Sequence, residues 1–221
     1  MSHRGIFISF EGSEGCGKTT QIRLLADALR EEGHPVVLTR EPGGTPVGEQ
    51  IRHTLQHAAE SSEMTPAAEL LLFAASRAQL VREVIVPALD RGAAVISDRF
   101  LDSTTVYQGL ARRIPAGAVR MINEFAIDGH LPDLTFVLDL PAEQSRARIL
   151  SRPPHDGGLD RIESEPLEFY ERVRAGYLEV ASREPHRFRV LDAGASRASI
   201  AAQILEHVQE SLNGLSTTRS I

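Results

Sequence analysis

Tryptophan is absent from the chain, aromatic residues make up 5% of it, and a single cysteine, Cys16, stands among 221 residues. One thiol forms no internal disulfide, so nothing points to an oxidising compartment. No apolar run approaches the roughly 20 residues needed to span a bilayer. The opening Met1-Ser2-His3-Arg4 leads straight into a strand-like run, without the apolar stretch of a signal peptide. Basic charge is also short: 24 Lys and Arg against 30 Asp and Glu leave a net charge of −6, the wrong sign for the footprint of a nucleic-acid binder. These absences set the expectation of a cytoplasmic protein with no membrane and no nucleic-acid partner. What remains, 42% hydrophobic and 24% charged, is ordinary globular composition at a length that suits one domain.

Short apolar runs alternate with longer amphipathic stretches. Strands are expected at Gly5–Phe10, Pro35–Thr39, Ala93–Ser97, Leu134–Leu140 and Arg187–Leu191, rich in Val, Ile, Phe and Leu, as in a parallel sheet buried on both faces. Helices are expected over Lys18–Glu32, Pro46–His57, Pro66–Leu89, Pro115–Ile127, Pro141–Leu150, Pro166–Arg183 and Ala198–Ser211. Thr65 before Pro66 is a start signal, and Ser196 can cap the last helix. The alternation gives an α/β fold: five mainly parallel strands with helices on both faces. Residues 1–212 read as one domain. The stretch from Arg152 to Asp160, rich in Pro and Gly, reads as a mobile lid of about 151–163, and residues 213–221 as a fraying tail.

Directly after the first strand comes Gly12-Ser13-Glu14-Gly15-Cys16-Gly17-Lys18-Thr19, a full match to G-x-x-x-x-G-K-[ST]. Glycines let successive backbone N–H groups turn inward on phosphate oxygens. Lys18 supplies a charge to the β- and γ-phosphates, and the Thr19 hydroxyl a ligand for Mg²⁺. The helix that begins near Lys18 and Thr20 aims its positive dipole end at the same anion. A second site stands at the carboxyl end of the third strand, Ser97-Asp98-Arg99, where ligands of open α/β sheets bind. Asp98 can hold the metal and Arg99 can clamp a phosphate. The residues alone stop at a kinase of a small phosphorylated acceptor. Other nucleoside monophosphate or deoxynucleoside kinases stay open, as does a nucleotide-dependent switch, although no N-K-x-D guanine-reading segment is present.

Longer blocks narrow this. Phe10 to Gln21, Thr39-Arg40-Glu41-Pro42-Gly43-Gly44-Thr45, Asp98-Arg99 with Ser103-Thr104 and Tyr107-Gln108-Gly109, and Leu159-Asp160-Arg161-Ile162-Glu163 resemble the bacterial thymidylate kinases, in that family's order. The resemblance implies a P-loop nucleoside monophosphate kinase fold and transfer of phosphate from Mg·ATP to dTMP in the supply of dTTP. It further implies a homodimer. It places Phe73 under the thymine and Arg77 toward its O4, although core packing of Phe73 and a solvated Arg77 are the alternatives. It faces Glu14 to the sugar 3′-hydroxyl and sets Tyr107 near the 2′ position. Ser103 and Gln108 then line the base pocket, Arg52 joins Arg99 on the acceptor phosphate, and Arg40 and Glu41 open the nearby loop. The lid supplies the arginine for the transferring group, Arg161 first and Arg152 second. His53 and His57, Arg112 and Arg113, and Arg146 and Arg148 read as solvated faces.

Overall fold

The computed structural model describes residues 4–56, 63–151 and 162–217. Five strands form one sheet: β1 (Phe7–Glu11), β2 (Val36–Arg40), β3 (Ala94–Asp98), β4 (Leu134–Asp139) and β5 (Phe188–Asp192). Their order is β2-β3-β1-β4-β5, and every pairing is parallel. Each expected strand is present, shifted by no more than two residues at either end. The expectation of burial on both faces holds for β1, β3 and β4 but not for β2, whose residues are half-buried or exposed, nor for β5, where only Phe188 and Leu191 are buried. β2 and β5 are the two edge strands, so one side of each has no neighbouring strand to cover it.

The helices are α1 (Lys18–Glu31), α2 (Pro46–Gln56), α3 (Pro66–Leu80), α4 (Val86–Asp90), α5 (Leu101–Thr104), α6 (Ala116–Ile127), α7 (Ala142–Leu150), α8 (Leu167–Arg183) and α9 (Arg197–Thr217). Thr65 caps α3 through Ala68 N–H at 3.3 Å, and Ser196 caps α9 through Ser199 N–H at 3.2 Å. The long helix expected over Pro66–Leu89 is present but widened into a π turn at Val81–Ile85. Pro87 has no N–H to offer Glu83 and its ring crowds that carbonyl, so the backbone opens by one residue and Val86 N–H reaches back to Val81. A second π segment, Thr105–Ala111, continues α5, and neither was expected from the sequence. At the other end, α9 runs through the residues 213–217 that were expected to fray.

The strand period of two distributes β1 between two cores. Ile6, Ile8 and Phe10 pack with Ile96, Phe136, Leu25 and Leu29 of α1, and Ile204 and Val208 of α9. Phe7 on the other face meets Val95, Leu80, Val81, Ile85 and Phe100. Beside it, Val137 packs on Phe169, Val173 and Tyr177 of α8 and on Val106 and Tyr107 of the π segment. Each such aliphatic or aromatic side chain taken fully from water contributes about 1.5–3 kcal/mol. The same alternation puts Ser9 and Glu11 on the face of Phe7. Ser9 is bound to Thr135 at 2.9 Å, while Glu11 emerges at the carboxyl edge of the sheet. α5 is pinned from below by Arg187, whose fork takes both oxygens of Asp102 at 2.7 and 2.8 Å in a fully buried pair.

Candidate active site

β1 and β3 are neighbours, with Phe10 in register beside Asp98, so the loop after one strand and the turn after the other open on the same space. Gly12 turns at φ 129°, where an added Cβ would stand 2.6 Å from the Leu138 carbonyl oxygen. Lys18 Nζ is folded back inside the loop, donating to the carbonyls of Gly12 and Ser13 at 3.1 and 3.0 Å. Cys16 is buried under it, its Sγ 3.7 Å from Nζ. Gly17 caps α1 and takes the Thr20 N–H at 3.1 Å. Thr19 Oγ1 donates to Asp98 Oδ2 at 3.2 Å. Two hard oxygen donors so placed beside a phosphate loop suit a magnesium ion.

Arg99 takes a positive φ of 71°, a strained conformation for a side-chain-bearing residue. It is held there by its N–H to Phe10 O at 2.9 Å and by Ser97 Oγ, which donates to its carbonyl at 2.6 Å. Its guanidinium reaches Glu14 at 2.6 Å, Ser103 and Tyr177 at 3.0 Å each, and Tyr107 at 3.3 Å. Tyr107 O–H in turn donates to Glu14 at 2.9 Å. Beneath this cluster lies Glu11, with no exposed surface. It accepts from Phe100 N–H at 2.8 Å, Ser103 Oγ at 2.6 Å and Tyr177 O–H at 2.8 Å. Burial, aided by the Asp102 charge, pushes its carboxyl up to about 7, against Arg99 and the two hydroxyls that favour ionisation. Burial likewise pushes the phenols of Tyr107 and Tyr177 up, keeping them as donors.

A cleft of about 240 Å³ opens over both motifs, with Phe73 of α3 and Gln108 of the π segment in its wall. A phosphate loop, a cation at the adjacent strand end and an aromatic wall make a place to bring two phosphorylated ligands together. The sequence profile described as thymidylate kinase matches residues 10–204. The thymidylate kinase of Geobacter sulfurreducens is 49% identical, over 92% of this chain and 98% of that one. That of Caulobacter vibrioides is 48% identical, over 95% and 98%. The crystal structure of thymidylate kinase from Ehrlichia chaffeensis superposes with a TM-score of 0.73 at 34% identity, covering 93% of this chain and 99% of that one.

The chain belongs to the thymidylate kinase family. As a member it is an ATP-dependent kinase that converts dTMP to dTDP, on the α/β fold of its crystallised relative.

Most residues expected for a thymidylate kinase site come together. Glu14, Gly15, Lys18, Thr19, Glu41, Arg52, Phe73, Asp98, Arg99, Ser103, Tyr107 and Gln108 all line the cleft. Arg52 donates to the Pro42 carbonyl at 3.0 Å, and Arg40 pairs with Glu49 at 2.9 Å. Arg152 and Arg161 lie outside the described residues. Arg77 departs from the expectation of a guanidinium aimed into the pocket, and also from a solvated one. It is 1% exposed and held by Glu41 at 2.7 Å, Asn123 at 2.7 Å and Thr104 at 2.7 Å, while Glu41 and Thr104 form the wall in front of it. Ser103 lines the cleft as expected, its hydroxyl accepting from Arg99 and donating to Glu11.

Two arginines read as solvated are not idle. Arg148 of α7 reaches the P-loop carbonyl of Gly15 at 3.4 Å and Ala193 O at 3.3 Å. On the same helix Ser145 Oγ donates to the Glu14 carbonyl, so α7 supports the loop from behind. Arg112 pairs with Glu165 at 2.6 Å and lies over the Phe169 ring at 4.9 Å. Sequence reasoning missed Glu11, Thr104, Ser145 and Tyr177. Glu11 and Thr104 did carry a signal, since both stand in the blocks that resemble the family, but no role was given to either.

Proposed function

We propose that this kinase holds dTMP in the cleft between α3, the helix of residues 101–111 and the P-loop, facing ATP across the Asp98-Arg99 turn. The P-loop from Gly12 to Thr20, with Lys18, receives the donor phosphates. Arg99 and Arg52 receive the acceptor phosphate, Phe73 the face of the base, and Gln108 its edge. Glu14 faces the 3′-hydroxyl, and Tyr107 crowds the position of a 2′-hydroxyl. Arg77 acts on the base through Thr104 and Glu41, and Ser103 steadies Arg99. Mg²⁺, held by Thr19 and Asp98, supplies neutralisation of the donor's phosphate charge when bound.

The acceptor phosphate is already an anion near neutral pH, so no strong general base is required. The chain's own task is to align the two phosphates and to meet the charge that develops between them. Arg161, and after it Arg152, are the cations assigned to that charge. The domain of residues 1–212 works in the cytoplasm as a homodimer, through the α6 face that carries Met121 and Phe125.

The observation that carries this reading is the meeting of both phosphate motifs with Phe73 on one cleft. It is tested by ADP release with Mg·ATP and dTMP, dUMP, UMP, dCMP, AMP, thymidine or no acceptor. Turnover with dTMP alone, or with dUMP a distant second, supports the pocket as drawn. Turnover with another acceptor overturns the roles of Phe73, Tyr107 and Gln108. Slow hydrolysis without acceptor dependence would instead make the chain a nucleotide switch.

A further inference from the structure

Glu69 stands on α3 four residues before Phe73, and so on the same side of the helix. Only 1% of its surface is exposed. Its Oε1 accepts from Gln108 Nε2 at 2.5 Å and has Arg112 Nε beside it at 3.5 Å. Arg112 is itself fixed by Glu165 and the Phe169 ring. The carboxylate is therefore held in place by a cation that cannot easily move.

A carboxylate only accepts hydrogen bonds. Of the two ways the Gln108 amide can be turned, it selects the one with Nε2 toward Glu69 and Oε1 away from it. Gln108 lines the acceptor cleft, so the atom that the amide leaves for the cleft is an acceptor. Thr104, about one turn earlier, is set in the opposite sense. Its Oγ1 accepts from Arg77 Nη2 at 2.7 Å, which leaves its hydroxyl hydrogen for the cleft. One acceptor and one donor thus stand side by side on the wall, each oriented by a buried charge on α3.

We infer that Glu69 is a specificity-determining positioning residue: acting through Gln108, it makes the cleft select a pyrimidine whose N3 carries a hydrogen over one whose N3 is a bare acceptor. The inference rests on the acceptor-site reading given above. Thymine and uracil present N3–H beside the carbonyl O4, a donor next to an acceptor, which is complementary to Gln108 and Thr104. Cytosine presents N3 beside an amine, the reverse pattern, and meets like against like at both positions. Placing an amide at position 69 removes the constraint. Two facing amides are satisfied in either orientation, so Gln108 becomes free to turn its NH₂ toward cytosine N3.

The test is the ratio of kcat/KM for dTMP to that for dCMP, measured with Mg·ATP on the full chain as wild type, Glu69→Gln, Gln108→Met and the double variant. Glu69→Gln is expected to lower the ratio by about 10- to 100-fold, more through the KM for dTMP than through kcat. Gln108→Met is expected to lower it similarly, and the double variant to fall no further than Gln108→Met alone, because Glu69 acts through that side chain. An unchanged ratio in folded Glu69→Gln overturns the inference, and so does an additive fall in the double variant. If Glu69→Gln does not fold, Gln108→Met decides, since a preserved ratio there removes the acceptor on which the inference depends. A wild type that does not phosphorylate dTMP strikes the acceptor reading itself, before any variant is made.

Discussion

Three hydroxyls and the Glu14 carboxylate surround the Arg99 guanidinium, and Glu11 holds two of those hydroxyls from below. The motif residues of this site were legible because they are local: Lys18, Thr19, Asp98 and Arg99 each carry their chemistry in a few consecutive letters. Glu11 was not, because its partners Ser103 and Tyr177 lie 92 and 166 residues away. It makes a pH prediction. Unfolded, the carboxyl titrates at its ordinary 4.5; folded, it holds its proton up to about 7. The stability it contributes is full below the unfolded value and is lost as pH rises through the folded one, by up to about 3 kcal/mol at this single group. Glu11→Gln has no such proton to lose, so its urea stability should decline less than wild type's between about pH 5 and about pH 8. Parallel curves would refute this. For the lid, Arg161→Ala should lower kcat by on the order of 10³ with little change in acceptor KM, and an unchanged turnover number would remove Arg161 from the reaction.

The strands, α1 and the long helix from Pro66 could be read from period and caps, whereas the helix of residues 101–111 could not. Its sequence runs through Thr104, Thr105, Val106 and Gly109, poor helix formers by intrinsic preference, and no side chain caps its start. Burial decides it instead: Val106 and Tyr107 pack against Phe169, Val173 and Tyr177, and Asn123 binds its Leu101 carbonyl at 3.3 Å. The π turn that follows is where Tyr107 and Gln108 face the cleft, the kind of local widening that functional sites recruit. α8 comes close enough that an added Cβ on Gly176 would stand 3.0 Å from Leu110 Cδ1 and 3.1 Å from Val106 Cγ1. Gly176→Val should therefore cost about 1–3 kcal/mol by overpacking and raise the KM for dTMP by displacing Tyr107. Wild-type melting and kinetics in that variant would show that the two helices are free to part.

At the scale of the whole molecule, the order of strands and helices follows from alternation of period, but the surface proposed for a second copy does not. Met121 and Phe125, one turn apart on α6, are 70% and 80% exposed, and Phe125 is the most exposed large apolar side chain among the described residues. In the homodimer proposed above, these two side chains are covered. Phe125→Glu should shift the sedimenting species toward monomer at micromolar concentration; an unchanged dimer places the interface elsewhere. The positive charge of the molecule has a different distribution. Lys18, folded between the carbonyls of Gly12 and Ser13, is the only lysine in the chain, and every other formal cation of the side chains is an arginine. Arginine stays protonated and does not acylate as lysine does. Amine-selective chemistry thus has one side-chain address in the whole sequence, recessed in the loop proposed to receive ATP. A reagent that spares the α-amino terminus should incorporate once, abolish turnover in proportion, and be excluded by ATP. With Lys18 in the proposed donor site, nucleotide occupancy should be readable as protection of that one ammonium, and acetylation there should abolish turnover.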